Sequence, residues 1–484
     1  MIPRLFVASV TLVSLAACKP GASSSAGTSA LLVHCAASLK APVEAIAREY
    51  EKAEGVPVRL QFGASQTLLA GVEVSKTGDL FLPADDSYFP PAKEKQLVNT
   101  TIPIATQTAV LVVKKGNAKG VKAIADLQRP EVRVAIANPD AAAIGKLLRA
   151  ALGETWTSLA AKAVLTGATV TEAANAVKVD SADVAFIWDA MLPQYADFEV
   201  VTAPELSKVK AQVAVGLLTC ASESTAAMRF ARYLAAKDKG LPVFQKQGFA
   251  VAEGEPWARE PELLLYSGSM LRPAIDKTLT DFEKREGVRV TRVYNGCGIL
   301  VGQMKAGSKP DAYFACDKEF MGQVQDSFEA SDDIAQNELV ILVPKGNPHK
   351  VADLRDLTKP GLKVGIGHEK QCAMGWLTQR TLTESGIKDE FMKNVTVQTP
   401  TGDMLVNQML AGSLDAAITY ISNAIGAGDK LDAVRIQGLK CAVATQPFAI
   451  AKQTPYKQTM ARLHELLRSA ESKERFTGEG FQWK

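Results

Sequence analysis

The chain alternates short apolar runs with segments of helical spacing. Residues 31–34 form an apolar run, residues 41–53 place their apolar side chains on one helical face, and residues 56–62 alternate as a strand. Runs such as 108–113 and 339–343 are almost wholly apolar, which is typical of strands whose two faces are covered. The pattern predicts an α/β protein with mainly parallel sheets covered by helices.

The pattern is written twice along the chain. Residues 263–266, 273–286 and 288–294 repeat the strand, helix and strand order of the first half. The segment EKAEGVPV at 51–58 returns as EKREGVRV at 283–290, an offset of 232 with six of eight residues identical. Self-similarity at one period is the mark of repeated domains.

Two further groups of residues recur in the same order. Residues of the segment 115–134 return in 345–364 at an offset of 230, and those of 244–249 return in 476–481 at an offset of 232. Chance does not explain three ordered groups at nearly constant spacing. We therefore expect a first domain at 29–252 and a second at 258–484.

The N-terminus has the layout of a secretory signal. Arg4 precedes an apolar run that is too short to span a bilayer, and small residues lead to Cys18. The sequence LAAC at 15–18 resembles the bacterial lipobox, which implies a signal at 1–18 and acylation of Cys18. The Gly- and Ser-rich segment 19–28 then predicts a flexible tether. We expect an exported lipoprotein in the periplasm or on the cell surface; the alternative is an ordinary signal peptide with a chance cysteine.

Composition narrows the classes of function. Apolar residues make up 47% of the chain and charged residues 22%, as in globular proteins, and the net charge is only +3. Without a block of basic residues, no nucleic-acid partner is expected. The four histidines show no paired spacing for a metal, and no phosphate loop or nucleophile elbow is present, so no metal, cofactor or enzymatic activity is expected.

Short motifs in both halves resemble one family, the molybdate/tungstate-binding proteins of ABC importers. In the first half they are AASL at 36–39, FGAS at 62–65, GDLF at 78–81 with AD at 84–85, and KGN at 115–117. In the second half they are YNGCG at 294–298, PD at 310–311, CD at 316–317 and DAAITY at 415–420.

The resemblance implies two tandem domains of the type II periplasmic-binding-protein fold, each with two lobes and a ligand cleft between them. It also implies capture of a small oxyanion for an ABC permease, with neutral hydroxyls and backbone N–H groups at helix N-termini as donors. From the lipobox, we expect contact with the membrane through the lipid anchor only. The ligand-binding positions that it implies are Ser38, Ser65, Ala84, Ile144, Val170 and Trp188 in the first cleft, and Ser269, Cys297, Cys316, Cys372, Gly402 and Tyr420 in the second.

Several of these positions have a second interpretation or depart from the family. A serine at a helix start is commonly an N-cap that bonds its own helix, which applies to Ser38 and Ser65. Trp188 stands where the family usually has a tyrosine, and it could instead be a core aromatic. Met270 stands at the position of Ser38, and we expect it to be a core residue.

Cys297, Cys316 and Cys372 are expected to converge on the second cleft, with at least two of them in contact with a space that also contains Tyr420. The oxidising compartment favours a disulfide, and pairing of Cys297 with Cys372 would link the two lobes. Free thiols would suit a soft ligand, and Cys297 could also act as a serine-like lining residue. A thiol-dependent enzyme with His368 as base, or a ligand-free signalling module, are the competing functions.

Overall fold

The computed structural model describes residues 30–484. The expected signal 1–18, the tether 19–28 and Cys18 lie outside the described residues. Between Ala30 and Lys484 no helix is long and apolar enough to cross a membrane. The first half of the chain and the second half each build one large sheet with helices packed on it.

From Ala30 to Ala252, the described part of the first half contains ten strands and eight α-helices. Its strands are β1 (Leu31–Ala36), β2 (Val58–Gly63), β3 (Leu80–Leu82), β4 (Val98–Lys114), β5 (Val134–Ala137), β6 (Leu165–Gly167), β7 (Val184–Trp188), β8 (Phe198–Val201), β9 (Lys210–Leu218) and β10 (Ala250–Val251). Its α-helices are α1 (Lys40–Glu54), α2 (Ser65–Ser75), α3 (Phe89–Glu94), α4 (Ala143–Leu152), α5 (Glu154–Lys162), α6 (Val170–Lys178), α7 (Ser224–Leu234) and α8 (Gly240–Lys246). Its 3-10 helices are Ala37–Leu39, Asp86–Tyr88, Ile124–Gln128, Asp189–Gln194 and Pro204–Lys208.

The second half repeats this arrangement. Its strands are β11 (Glu262–Gly268), β12 (Arg289–Asn295), β13 (Ala312–Phe314), β14 (Asp332–Pro344), β15 (Val364–Gly367), β16 (Val395–Thr399), β17 (Ala416–Tyr420), β18 (Leu431–Arg435), β19 (Val443–Ile450) and β20 (Gln482–Trp483). Its α-helices are α9 (Arg272–Glu286), α10 (Cys297–Lys305), α11 (Lys318–Gly322), α12 (Ala373–Glu384), α13 (Lys388–Met392), α14 (Gly402–Leu410), α15 (Ile421–Ile425), α16 (Lys457–Leu467) and α17 (Ala470–Gly478). Its 3-10 helices are Ser269–Leu271, Gln325–Ser327, Leu354–Thr358 and Lys440–Ala442.

The two sheets have the same strand order. It is β2-β1-β3-β9-β4-β7-β5-β6 in the first half and β12-β11-β13-β19-β14-β17-β15-β16 in the second. In the first half, β1 pairs in parallel with β2 and β3, and β5 pairs in parallel with β6 and β7. The tandem α/β organisation expected from the repeated pattern is confirmed.

Two long strands join the parallel groups and divide each domain into two lobes. Strand β4 runs antiparallel to β9 along its first part and to β7 along its second, and β14 does the same with β19 and β17. One lobe therefore holds β1 to β3, and the other holds β5 to β7. The C-terminal ends of the parallel strands in both lobes face the space between them.

The first helix of each domain shows how the repeated sequence sets the repeated structure. Helix α1 ends at Gly55 and α9 ends at Gly287, both in the left-handed conformation, with φ of 69° and 65°. A residue without Cβ adopts this conformation without steric cost and stops the helix. These glycines belong to the duplicated segment EKxEGVxV. Both helices therefore end at the same position of the repeat, just before the next strand.

The segment between the domains is held by hydrogen bonds rather than left loose. Glu255 accepts from the backbone N–H of Thr459 at 2.7 Å and from its hydroxyl at 2.6 Å. Arg232 of α7 is buried and donates to the carbonyl oxygens of Ala258 at 3.1 Å and of Gly287 at 3.4 Å. Burial lowers the pKa of Arg232 to about 10, so it stays charged at neutral pH. The junction thus uses a buried cation from the first domain to bind main-chain oxygens of the second.

Candidate functional site

A small cavity lies between the two lobes of the first domain. Its volume is about 20 Å³, close to the roughly 10–15 Å³ that one water molecule needs, so it admits only a compact ligand in this conformation. Every side chain that lines it is uncharged: Ala36, Ala37, Ser38, Gly63, Ala64, Ser65, Ala84, Ala142, Ala143, Ile144, Thr169, Val170 and Trp188. All six positions expected for the first cleft are therefore brought to one cavity.

Two serines from the first lobe present hydroxyl groups there. Ser38 Oγ is buried and has no hydrogen-bond partner among residues 30–484. Ser65 Oγ accepts the backbone N–H of Ala84 at 3.1 Å, which leaves its own hydrogen available to donate. A buried hydroxyl without a partner costs about 1–3 kcal/mol. The cavity thus holds unused donor capacity.

The structure does not support the interpretation of these serines as N-caps. The residues at the cap positions are Ala36 and Ala64, and neither makes a side-chain cap. Ser38 lies inside the 3-10 helix, and Ser65 is the first residue of α2, bonded to Ala84 rather than to its own helix. Neither hydroxyl bonds the backbone of its own helix, and both residues line the cavity.

Helix N-termini surround the cavity from both lobes. Helix α2 and the 3-10 helix Ala37–Leu39 begin at it in the first lobe, and α4 and α6 begin at it in the second. The first N–H groups of a helix have no partner within the helix, and the helix dipole makes this end attractive to anions. Ile144 and Val170 lie in such first turns. An oxyanion here could be held by neutral donors alone.

Trp188 closes the cavity at the end of β7. Its side chain is fully buried and it lines the cavity, so it is both a core aromatic and a wall residue. The indole offers one N–H and no acceptor. The first cleft consequently has no phenol hydroxyl at this position.

Contacts across the cleft hold the two lobes of the first domain together. The N–H of Gln66 donates to the carbonyl oxygen of Ala141 at 3.1 Å. Lys146 of α4 donates to Ser87 Oγ at 2.9 Å, and its ammonium lies 4.8 Å from the ring centre of Tyr88. The cavity is therefore seen in a closed arrangement of the lobes.

The second domain has the same framework around its cleft. Helices α10, α12 and α14 begin at Cys297, Ala373 and Gly402, which correspond to the first residues of α2, α4 and α6. The N–H of Gly298 donates to the carbonyl oxygen of Gln371 at 3.1 Å, as Gln66 does to Ala141 in the first domain. This shared bond supports the alignment of the two clefts that the sequence repeat predicts.

Two of the three cysteines expected in this cleft form a disulfide with each other. Cys297 is bonded to Cys316, and both lie in the first lobe. The backbone N–H of Cys316 lies 3.1 Å from Cys297 Sγ, the counterpart of the bond between Ala84 and Ser65. The suggested bridge between Cys297 and Cys372 is wrong: Cys372 is a free thiol, and no disulfide links the lobes within residues 30–484. The spatial neighbour of Cys297 is set by the pairing of β11 with both β12 and β13, which spacing does not reveal.

A glycine makes room for this disulfide. Gly268 has φ of −58° and ψ of 133°, which any residue adopts, so its role is steric. A Cβ at Gly268 would lie 2.2 Å from Cys316 Sγ and 3.3 Å from Cys297 Sγ. The first domain has Ala36 at the matching position and Ala84 opposite it. The first domain therefore fills this space with the methyl groups of two alanines, whereas the second fills it with the sulfur atoms of the disulfide.

The third cysteine is buried beside the second-lobe helices. Burial raises the pKa of Cys372 to about 11, and the N–H groups of Met374 and Gly375 oppose this only in part. The thiol is therefore protonated at neutral pH, which does not suit a nucleophile. The ring of His368, the suggested base, accepts the N–H of Lys370 at 3.2 Å.

Tyr420 stands at the end of β17, as Trp188 does at the end of β7. Its hydroxyl is buried and lacks a hydrogen-bond partner in the described part of the chain. Burial raises its pKa well above the usual value, and the nearby negative charge of Asp317 acts in the same direction. Tyr420 is thus a neutral donor located close to Cys372. Ser269 is half-buried at the position of Ala37, beside the buried Met270.

Some residues at the first cleft were not singled out by sequence reasoning. Gln107 on β4 donates to the carbonyl oxygen of Ala84 at 3.0 Å, and Lys146 crosses between the lobes. In the second domain, Gly268 was also not predicted as a site residue. Each acts through a residue distant in sequence, so no local motif could identify it. Across residues 30–484, no group of three or more His, Cys, Asp or Glu side chains is arranged to hold a metal ion.

Comparison with known proteins places the chain in a family. The model for the bacterial extracellular solute-binding protein family matches twice, at residues 31–250 and 263–482. The molybdate-binding protein ModA of Mycobacterium bovis is 27% identical over 196 residues, which cover 40% of this chain and 73% of that protein.

Two solved structures each match 46% of this chain. The periplasmic molybdate-binding protein of Azotobacter vinelandii is 15% identical with a TM-score of 0.40, covering 46% of this chain and 99% of its own. The sulfate-binding protein SubI of Mycobacterium tuberculosis is 15% identical with a TM-score of 0.41, covering 46% and 86%. The two family matches together span most of the sequence. The chain therefore belongs to the bacterial extracellular solute-binding proteins and carries two tandem domains of the periplasmic-binding-protein fold.

Proposed function

We propose that this protein captures a small tetrahedral oxyanion of the molybdate or tungstate type in the cleft of its first domain and delivers it to an ABC permease. The observation that carries the proposal is the buried hydroxyl of Ser38, which has no partner among the described residues, at a position that lines a cavity with only uncharged side chains. A donor kept without a partner is costly unless a ligand uses it.

The chemistry of the cavity supports an anion rather than a cation or an apolar solute. Its polar groups are hydroxyls and helix N-termini, which donate hydrogen bonds and carry partial positive charge. A dehydrated oxyanion needs several such donors and no counter-ion. Relatives named as molybdate-binding proteins add to this support.

The size of the cavity argues for a compact ligand. A volume of about 20 Å³ leaves no room for an extended solute while the lobes are closed by the bond between Gln66 and Ala141. Choice among tetrahedral oxyanions would follow from small differences in their radius, with Trp188 as the wall that limits the space.

Anchoring to the membrane is part of the proposal. Cys18 would carry the lipid and 19–28 would tether the domains near the permease. Two acyl chains give stable anchoring where one does not. A Cys18→Ala variant should leave the membrane fraction; retention there would contradict the anchor and leave the binding proposal untouched.

Calorimetric titration of the mature chain with molybdate, tungstate, sulfate and phosphate tests the binding function. We expect saturable binding of at least one of the first two, with a rise of melting temperature that follows ligand concentration. Absence of both effects with all four anions would refute the proposal. A Ser75→Ala variant, altered at an exposed hydroxyl on α2 that bonds only Thr77, serves as the matched control.

A further inference from the structure

We propose that each chain binds one oxyanion, in the first cleft, because the second cleft lacks the two hydroxyl donors that Ser38 and Ser65 supply in the first. Met270 and Cys297 occupy the positions of Ser38 and Ser65. The inference rests on the proposed function, since it concerns the same ligand. The difference between the two domains then lies at four positions in one wall of the cleft: Gly268, Met270, Cys297 and Cys316.

The first lost donor is at Cys297. Ser65 accepts the N–H of Ala84 and still has a hydrogen to donate, whereas Cys297 Sγ is bonded to Cys316 and has none. The framework bond to the main chain is kept at the same 3.1 Å. The change therefore removes the donor and leaves the local backbone as it was.

The second lost donor is at Met270. Its position inside the 3-10 helix Ser269–Leu271 matches that of Ser38 inside Ala37–Leu39. A thioether accepts hydrogen bonds weakly and donates none. Because Met270 is buried, it also adds apolar volume where the first domain has a short hydroxyl side chain. An oxyanion would lose one more donor and meet an apolar group.

The space around these positions is filled in both domains, although by different groups. A methyl at Gly268 would overlap Cys316 Sγ, whereas the first domain has methyl groups at both Ala36 and Ala84. The wall is thus filled in either domain, by two methyl groups in one and by a disulfide in the other. The chemistry of this wall therefore differs between the domains while its space is filled in both.

The opposite wall of the second cleft keeps its donors. Helices α12 and α14 begin at Ala373 and Gly402, and the Tyr420 hydroxyl is buried without a partner in the described residues. A ligand site should therefore return when the first-lobe wall is restored. Ser269 is the hydroxyl left on that wall, and it stands at the position of Ala37 rather than at that of either serine.

The test counts oxyanions bound per chain by titrating molybdate or tungstate, whichever binds, into the full mature chain. The unaltered chain should bind one, and the Ser38→Ala, Ser65→Ala double variant should bind none. Ser75→Ala, at the exposed hydroxyl of α2, should leave the number at one. Two ions bound by the unaltered chain, or one retained by the double variant, would overturn the inference. No binding to the unaltered chain would instead refute the proposed function.

A four-residue variant of the second domain then tests the cause. It combines Gly268→Ala, Met270→Ser, Cys297→Ser and Cys316→Ala. We expect two ions per chain, and a return to one when Tyr420→Phe is added. If the folded variant, checked by circular dichroism, still binds one, the wall is not the cause and the inference fails.

The reciprocal exchange in the first domain tests the same inference in case the four-residue variant does not fold. It combines Ala36→Gly, Ser38→Met, Ser65→Cys and Ala84→Cys. This chain should form an additional disulfide, detectable by mass mapping, and lose its bound ion. Undiminished binding with that disulfide formed would overturn the inference in the same way.

Discussion

Lys146 and Ser87 are joined across the cleft of the first domain by a hydrogen bond of 2.9 Å. Lys146 lies on α4 in the second lobe, and Ser87 follows β3 in the first. Both are half-buried, so solvent weakens the bond without removing it. Because the bond joins the two lobes, separation of the lobes would break it. It should therefore favour the closed state in which the ligand is enclosed.

We expect Lys146→Met to weaken oxyanion binding. Loss of one hydrogen bond of this kind costs about 0.5–1.5 kcal/mol, or roughly a twofold to twelvefold rise in Kd. The dissociation rate, measured by stopped-flow, should carry most of the change. Lys114→Met is the control, because Lys114 pairs with Asp180 within the second lobe. Equal effects of the two substitutions would contradict a role in closure.

The disulfide between Cys297 and Cys316 should stabilise the second domain. It closes a loop of 19 residues, for which loop entropy gives about 3 kcal/mol. A Cys297→Ala, Cys316→Ala variant should lower the free energy of unfolding by about 2–4 kcal/mol. The Cys372→Ala variant breaks no disulfide, so this loss of stability is not expected in it. Peptide mapping that finds Cys372 in a bridge would disprove the pairing.

Gly268 and Cys316 should be energetically coupled. Gly268→Ala alone forces a methyl against Cys316 Sγ, and overpacking of this kind costs about 1–3 kcal/mol. In a Cys316→Ala background the methyl has room, so the same substitution should cost much less. A double-mutant cycle by urea unfolding should give a coupling of about 0.5–3 kcal/mol. Strict additivity would show that the glycine has another role.

Two glycines of α10 offer a test of lobe closure in the second domain. A Cβ at Gly298 would lie 1.9 Å from the carbonyl oxygen of Lys370 in the other lobe, whereas one at Gly302 meets nothing within 4 Å. Gly298→Ala should open the cleft, seen as a larger radius of gyration by small-angle scattering. Gly302→Ala should leave the radius unchanged and raise stability by up to about 1 kcal/mol. An unchanged radius in both would mean that the lobes are not held together there.

The repeat made the domain organisation predictable from the sequence. The duplicated segment EKxEGVxV ends a helix at Gly55 and at Gly287, and the helix expected at 41–53 is α1 (Lys40–Glu54). The direction of strand pairing was harder to predict from the sequence than the domain organisation. The apolar run 108–113 belongs to β4, which is antiparallel to its neighbours and still buried, because apolar periodicity reports burial and not the direction of the partner strand.

The candidate site was predictable where it follows from the repeat and not where it depends on tertiary contacts. The family motif pointed to Ser38 and Ser65, and both line the cavity. Cysteine spacing leaves the connectivity open, so the partner of Cys297 could not be chosen between Cys316 and Cys372. That choice depends on which strands are neighbours in the sheet.

The most deeply buried ion pair should be the main pH-sensitive contact of the second domain. Glu286 at the end of α9 accepts from Arg462 of α16 at 2.9 Å, and both side chains are buried. Arg285 donates to the other carboxylate oxygen at 2.9 Å. Burial acts to raise the pKa of Glu286, but the two arginines outweigh it and hold the pKa below its usual value.

The lowered pKa fixes the sign of the pH dependence. The pair contributes its full stabilisation above the unfolded-state pKa of about 4.3, and this contribution is lost as the pH falls through the lower pKa of the folded state. Glu286→Gln leaves Arg462 buried without its partner, which should cost about 3–5 kcal/mol near pH 7. Because that cost falls away on acidification, urea unfolding should show the two chains converging below about pH 4. Glu384→Gln, which breaks an exposed pair with Arg380, should cost less than about 1 kcal/mol; a comparable loss in both variants would show that burial does not set the strength of the pair.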